Sequence, residues 1–384
     1  MLKVITVFGT RPEAIKMAPL VKELQAYREE IDCKVAVTAQ HREMLDQVLD
    51  LFKIIPAYDL NIMRQGQNLF DITSRALSGL QRVLLEEKPD LVLVHGDTTT
   101  TFVAALTAFY LQIPVGHVEA GLRTRNKFSP YPEEMNRRLT GSLADLNFAP
   151  TSNARQNLLD EGVAAATIFV TGNTVIDALL ATVRPGYRFT DPVLGEIDYA
   201  RRRILLVTTH RRENLGEPMR EIYRALRDVV GDYPDVEVVF PVHKNPAVRS
   251  VVEAELGGLE RVHLIEPMDY EPFVNMIGHS YLVLSDSGGI QEEAPSLGKP
   301  VLVLRDTTER PEAVAAGTVR LIGTTRDAVA LETRRLLDDR NFYQTMANAV
   351  NPYGDGLASE RIARAILFKF GLRAKRPREY QPGC

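Results

Sequence analysis

The sequence predicts an α/β protein built from two Rossmann-like, doubly wound domains facing a cleft. Three observations lead there. A chain of 384 residues is longer than a single hydrophobic core usually serves, about 250–300 residues, so two domains are expected. From the first residues, short apolar runs alternate with amphipathic stretches, the pattern of parallel strands wrapped by helices. After Arg201 the same pattern starts again.

The run Lys3–Phe8 is rich in β-branched residues and stops at Gly9, which fits a strand. Pro12 then stands where a helix makes its first turn, and Ile15, Ala18 and Val21 follow at helical spacing. The unit recurs: Cys33–Val37 leads to Arg42–Phe52, Leu91–Val94 to Thr98–Tyr110, and Val115–Val118 through a polar loop to Pro132–Ala144. In the second half Ile204–Thr208, Val236–Phe240, Val262–Ile265, Leu282–Leu284, Val301–Leu304 and Val319–Ile322 read as strands with helices between them. Arg184–Arg203, with Pro185, Gly186, Pro192 and Gly195, is the weakest-patterned stretch, and the boundary is expected just ahead of it, near residue 175. Residues 1–175 then form the first domain and 176–358 the second, with a helix over 359–372 crossing back to complete the first.

Composition removes several function classes. A net charge of -4, spread along the chain, favours neither nucleic acid nor an anionic membrane as partner. No stretch reaches the ~20 apolar residues that span a bilayer, and MLKVITVFGT lacks a charged leader with a long apolar run, so a cytoplasmic protein is expected. Cys33 and Cys384 are the only thiols, which excludes a disulfide framework and suits a reducing compartment. His41, His95, His117, His263 and His279 show no zinc-ligand spacing, so no catalytic metal is expected.

Ligands of doubly wound domains bind beyond the carboxyl ends of the strands, which directs attention to the residues following each one. Gly9-Thr10-Arg11-Pro12-Glu13 opens a helix after the first strand, pointing N–H groups outward, with Arg11 and Lys16 adding positive charge. No G-x-G-x-x-G or Walker string is present. In His95-Gly96-Asp97-Thr98, Asp97 is either a helix N-cap or a cleft acid. Glu119, at the carboxyl end of a buried run, must be paired, protonated or in contact with ligand. Glu133 and Glu134 both follow Pro130-Tyr131-Pro132 and either one complements a helix dipole or works in the cleft. His210 and His243 end strands of the second domain, suited to acid–base chemistry, to phosphate contact, or to a structural role. In Ser285-Asp286-Ser287-Gly288-Gly289-Ile290-Gln291-Glu292-Glu293 two glycines let a backbone approach an anion where a helix begins, or make an αL turn. Glu293 stands one turn on, and Arg305 and Arg310 are phosphate ligands or surface charges.

Taken together the strings VFGTRPEAIK (Val7–Lys16), QHREMLDQ (Gln40–Gln47), HGDTTTT (His95–Thr101), HVEAGLRT (His117–Thr124), PYPEEMN (Pro130–Asn136), HRRE (His210–Glu213), DSGGIQEEAPSLGKPVLVL (Asp286–Leu304), RDTTERPEA (Arg305–Ala313) and NPYGDG (Asn351–Gly356) resemble the non-hydrolysing UDP-N-acetylglucosamine 2-epimerases. The resemblance runs through nearly the whole chain and implies a glycosyltransferase-B-type architecture and a homodimer. It implies that Asp97, Glu119 and Glu133 are catalytic carboxylates and that His210 assists at the diphosphate. It assigns nucleotide-sugar binding to Arg11, Lys16, Phe273, Ser287, Gly288, Gly289, Glu293 and Arg310. Gln40, His41, Arg211 and His243 match an allosteric pocket for a second UDP-N-acetylglucosamine. Met268 stands where some relatives have a glutamine near the base, leaving Phe273 and backbone groups to hold the uracil.

The implied reaction, with no metal or other cofactor, interconverts UDP-N-acetylglucosamine and UDP-N-acetylmannosamine by elimination and re-addition of UDP, supplying precursor for bacterial surface polysaccharides. A hydrolysing epimerase, a glycosyltransferase of the same fold and a catalytically silent nucleotide-sugar sensor are the alternatives. Three carboxylates in the cleft set favour epimerisation over the last two.

Overall fold

The computed structural model describes residues 1–39 and 42–383. The chain divides into two compact units, one formed by Met1–Ala181 with Tyr353–Pro382 and the other by Thr182–Pro352.

The first unit runs β1 (Leu2–Phe8), α1 (Arg11–Ala26), β2 (Ile31–Val37), α2 (Arg42–Leu51), β3 (Tyr58–Asp59), α3 (Leu69–Glu87), β4 (Leu91–His95), α4 (Thr99–Tyr110), β5 (Val115–Val118), α5 (Glu133–Leu143), β6 (Leu146–Ala149), α6 (Ser152–Asp160), β7 (Ile168–Val170) and α7 (Thr174–Thr182). Its strands form one sheet in the order β3-β2-β1-β4-β5-β6-β7, and every pairing is parallel. A parallel sheet covered on both faces needs apolar side chains on both, which is why Val4, Ile5, Val7 and Phe8 of β1 and all of Leu91–Val94 are buried. Each such Val or Leu contributes roughly 1.5–3 kcal/mol by leaving water.

The second unit runs α8 (Pro192–Gly195), β8 (Arg203–Thr208), α9 (Glu217–Asp232), β9 (Val236–Pro241), α10 (Pro246–Leu256), β10 (Val262–Ile265), α11 (Tyr270–His279), β11 (Leu282–Ser285), α12 (Ile290–Ser296), β12 (Val301–Val303), α13 (Pro311–Ala315), β13 (Val319–Leu321), α14 (Arg326–Asp338) and α15 (Arg340–Ala347). Its sheet order is β10-β9-β8-β11-β12-β13, again parallel. Leu205, Val207, Ile222, Leu226, Val238, Phe240, Leu284 and Leu336 lie in its core. These two doubly wound sheets are the fold class predicted from the sequence.

In each sheet the chain first travels outward to one edge and then returns to the centre. The reversal falls between β1 and β4 in the first unit and between β8 and β11 in the second. Loops leaving two such neighbouring strands turn opposite ways and open a crevice at their carboxyl ends. Gly9–Glu13 and Gly96–Thr98 occupy that position in one unit, Thr209–Arg211 and Asp286–Gly289 in the other.

A final helix, α16 (Ala358–Lys369), packs against α1 in the first unit. Its amino end is held by the buried Asp177 carboxylate, which accepts from the backbone N–H of Ala358 at 3.2 Å and of Ser359 at 2.7 Å. Just before it, Asn173 N–H donates to the Tyr353 carbonyl at 2.7 Å. Gly172, at φ +85°, permits this approach, since a Cβ there would stand 3.3 Å from the Gly354 Cα.

Candidate active site

The carboxyl edge of the first sheet gathers one buried polar group. Glu119 follows β5 in the left-handed region at φ +63°, and its side chain is nearly buried between α1 and the loop after β7. Lys16 Nζ donates to Glu119 Oε2 at 2.5 Å, and Asn173 Nδ2 donates to the same oxygen at 2.8 Å. Lys16 reaches the crevice because it sits on α1, whose first turn is fixed by Pro12 and a capping box. Glu119 thus meets the condition set by its burial through pairing.

His95 and His117 lie beside this pair. Burial pushes both imidazoles down to about 4, against the opposing pull of Glu119, so both are neutral near pH 7. His117 Nε2–H donates to the Gly96 carbonyl at 2.7 Å, which fixes its tautomer. His95 is 3 % exposed, and neither ring nitrogen has a hydrogen-bond partner among the described residues. Its Nε2 stands 3.9 Å from Glu119 Oε2. The sequence marked it only as a poor zinc ligand; its place at the end of β4, two residues before Asp97, is the signal that it faces the same edge.

Asp97 is not the cap of α4. That role falls to Thr98, whose hydroxyl accepts from Thr101 N–H at 3.1 Å. The Asp97 carboxylate pairs instead with Arg137, and its carbonyl accepts from Asn136 Nδ2 at 2.9 Å. Arg137 also donates to Glu134 at 3.2 Å. Glu134 is fully buried and accepts from the Thr124 and Arg125 N–H groups, both at 3.0 Å, so it is the structural member of the acidic pair. Glu133, the first residue of α5, is half-buried and has no hydrogen-bond or ion-pair partner among the described residues.

The turn after β1 differs from its expected role as an open set of donors. Glu13 fills it from within, accepting from Gly9 N–H at 3.1 Å and from Thr10 N–H at 2.8 Å. It also accepts from the hydroxyls of Thr98 at 2.7 Å and Thr101 at 3.0 Å, tying the turn after β1 to the turn after β4. Burial raises the Glu13 carboxyl and these hydrogen bonds counter it. Arg11 remains half-buried without an ion-pair partner among the described residues.

In the second unit Thr208 and Ser285, ends of adjacent strands, share a hydroxyl hydrogen bond of 2.7 Å. Ser287 N–H donates to Ser285 Oγ at 2.9 Å, shaping the turn into α12. Asp286 is fully buried and gathers the backbone N–H groups of His210 at 3.0 Å and Arg211 at 2.9 Å, with His210 Nδ1 at 3.1 Å. Burial pushes its carboxyl up, yet these donors outweigh it and hold it below the usual range. His210, with one nitrogen held by Asp286, keeps an exposed ring stacked on His243 at 6.0 Å.

Gly289 caps α12 at φ −64°, ψ −40°, so the glycine pair is not an αL turn. A Cβ at Gly289 would meet nothing within 4 Å, and one at Gly288 only Arg211 Nη2 at 3.9 Å. Neither backbone geometry nor neighbouring side chains require glycine there; the space is open.

The remaining nucleotide candidates are partly engaged. Arg310 is ion-paired with the buried Glu292, and its N–H donates to Thr308 Oγ1 at 3.0 Å. Arg305 is neither surface charge nor open ligand, being buried against Glu309 at 2.7 Å. Glu293 is buried in α12. Phe273 and Met268 are half-buried on and just before α11. Of the residues matched to a second pocket, Arg211 Nε donates to the Asp286 carbonyl at 3.0 Å; Gln40 and His41 lie outside the described residues.

Among the described residues no helix is long and apolar enough to cross a membrane. A family profile described as UDP-N-acetylglucosamine 2-epimerase matches residues 22–367. The chain is 59% identical over 376 residues to the UDP-N-acetylglucosamine 2-epimerase of Bacillus subtilis strain 168, covering 98% of each. The S. aureus MnaA–UDP co-structure superposes with a TM-score of 0.89 at 50% identity, covering 99% of this chain and 100% of that one. The UDP-GlcNAc 2-epimerase of Neisseria meningitidis, bound to UDP-GlcNAc, does so with a TM-score of 0.86 at 53% identity, covering 95% and 100%. The chain belongs to the UDP-N-acetylglucosamine 2-epimerase family.

Proposed function

We propose that this protein interconverts UDP-N-acetylglucosamine and UDP-N-acetylmannosamine without hydrolysis, by eliminating UDP and adding it back. C2 of the hexosamine is not next to a carbonyl, so its proton is too weakly acidic for simple removal and return. Elimination avoids this. A carboxylate takes the C2 proton, the C–H electrons form the C1–C2 double bond, and the C1–O bond breaks with its electrons leaving on UDP. The 2-acetamidoglucal then regains UDP at C1 and a proton on the opposite face of C2.

Acid–base groups on both faces are needed, and their contrasting environments support the assignment. Glu119 is held by Lys16 and Asn173, Asp97 is paired with Arg137, and Glu133 is unpaired among the described residues. Arg11 and Lys16 bind the sugar phosphates from the first unit. Ser287, Gly288 and Gly289 hold the diphosphate, His210 and Arg310 stabilise its developing charge, Phe273 packs on the uracil and Glu293 takes the ribose. The open space beside Gly289 is the observation that carries the diphosphate assignment.

The same reading assigns Arg211 and His243, with Gln40 and His41, to a regulatory second substrate site, and a homodimer as the working form. It places the reaction in the cytoplasm, which suits the free thiol of Cys33, and the product in the supply of surface polysaccharides.

Incubation in D₂O with UDP-N-acetylglucosamine labelled with ¹⁸O at the bridging position tests the chemistry. NMR should show deuterium at C2 of both epimers and the label scrambled into non-bridging positions of the β-phosphate. Deuterium without scrambling overturns the elimination, and free N-acetylmannosamine with UDP as the end products would make the enzyme a hydrolysing one.

A further inference from the structure

We infer that Asn173 is a positioning residue for Glu119, its side-chain amide fixing the carboxylate that works at C2. The inference rests on the reading of Glu119 as an acid–base group. Asn173 is buried, 3 % exposed, and its amide is committed at both ends. Oδ1 accepts from Val175 N–H at 3.1 Å in the first turn of α7, while Nδ2 donates to Glu119 Oε2 at 2.8 Å. A flipped amide would set its oxygen against the carboxylate and its NH₂ against a backbone donor, so the orientation has one satisfied state. The backbone is held as well, through the N–H bond to the Tyr353 carbonyl at 2.7 Å.

Glu119 needs such a holder. It follows β5 in the left-handed region and its side chain is a long, three-torsion one, so contacts at the carboxylate set where that group points. Among the groups beside it are Lys16 from α1, His95 from the end of β4, His117 from β5 and Asn173 from the loop after β7, with Asp97 acting on the same two histidines. Lys16 carries charge on a flexible stem. Asn173 is the rigid, uncharged donor, and it cannot take the proton that Glu119 is to move.

Asn173→Asp separates this role from a structural one, because Asp keeps the acceptor for Val175 N–H and the backbone bond and changes only the group facing Glu119. Turnover should fall by a factor on the order of 10², with KM changed less than about threefold. The acid limb of the pH–rate profile should move up by about one unit or more, since a second carboxylate beside Glu119 favours its protonated form. Asn173→Ala should also lose turnover and melting temperature, the latter from the lost Val175 contact, with the acid limb moved up by less than in Asn173→Asp, since a lost donor favours protonated Glu119 but adds no second charge. An Asn173→Asp enzyme with wild-type turnover and pH profile overturns the inference, as does a limb shift of equal size in Asn173→Ala. Glu119→Gln in the same assay separates the two levels: wild-type turnover there refutes the role of Glu119 itself, whereas an inactive Glu119→Gln beside an unaffected Asn173→Asp refutes only the positioning.

Discussion

Glu133 and Glu134 are neighbours in the chain with opposite surroundings: Glu134 is fully buried under two backbone N–H groups and Arg137, while Glu133 has no partner among the described residues. Removing Glu134 strips the Thr124 and Arg125 N–H groups of their acceptor and leaves Arg137 with Asp97 as its remaining carboxylate. Glu134→Ala should therefore cost about 2 kcal/mol or more of stability, read as a fall in melting temperature of roughly 5 °C or more. Glu133→Gln should melt within about a degree of wild type and lower turnover by a factor on the order of 10²–10⁴. Equal melting temperatures for the two variants would show that the division is wrong.

Gly289 has helical φ and ψ and an empty neighbourhood where a Cβ would point. Alanine should then be neutral or stabilising by roughly 0.4–1 kcal/mol in the free protein. The same methyl group should stand in the way of a diphosphate. Calorimetric titration of Gly289→Ala with UDP should show binding weakened at least about tenfold with the melting temperature unchanged or raised. Undiminished UDP binding would remove the diphosphate from this turn.

Asp286 is a carboxyl held below its ordinary range by the His210 and Arg211 donors despite burial. A carboxyl depressed in the folded state contributes stability that is present above its unfolded value, 3.8, and is lost as pH falls through the lower folded one. Asp286→Asn should be about 2 kcal/mol less stable than wild type at pH 7. The gap should narrow below about pH 4. A constant gap from pH 7 to pH 3 would mean that the charge does not matter.

His95 and His117 behave in the complementary way. Both are pushed from 6.5 down to about 4 by burial, so between those values the unfolded chain takes up protons that the folded one refuses. Stability is full above 6.5 and falls as pH drops toward 4, by about 1.4 kcal/mol per pH unit for each group. In His117→Gln the amide nitrogen can still donate to the Gly96 carbonyl, but one titrating group is gone. Denaturant midpoints at pH 6 and pH 5 should show a decline shallower by about one proton's worth; an unchanged decline would mean that His117 is already protonated when folded.

The carboxyl ends of the strands were legible in the sequence, and with them the positions of Asp97, Glu119, His210 and Gly289, because a β-branched run stopping at a polar or glycine residue carries its own boundary. Less was legible where runs are very short. β6, with Leu146–Ala149, and β7, with Ile168–Val170, escape a reading by periodicity, since three or four buried residues show no alternation; β6 also lacks any β-branched residue, and β7 has two but is only three residues long. α3 was equally unassigned, although Asn68 and Asp71 make a capping box at its start. Partners distant in sequence were illegible: nothing near residue 16 or residue 173 announces a bond to residue 119. For Asn173 the signal was positional, a polar residue between Gly172 and a helix start, at the same sheet edge as Glu119. Glu133 and Glu134 carry the same charge at the same local spacing, so only burial tells them apart.

The return of the chain at Tyr353 to dock α16 on α1 has a consequence for biosynthesis. The helix that covers α1, and the backbone amides that satisfy Asp177, are made only after the whole second unit has been translated. An emerging first unit therefore waits on the ribosome with an apolar flank and a buried-type carboxylate uncovered, while residues 182–352 form a self-contained unit inserted within it. The order of completion is the reverse of the order of synthesis: the unit that begins the chain is the last to be finished.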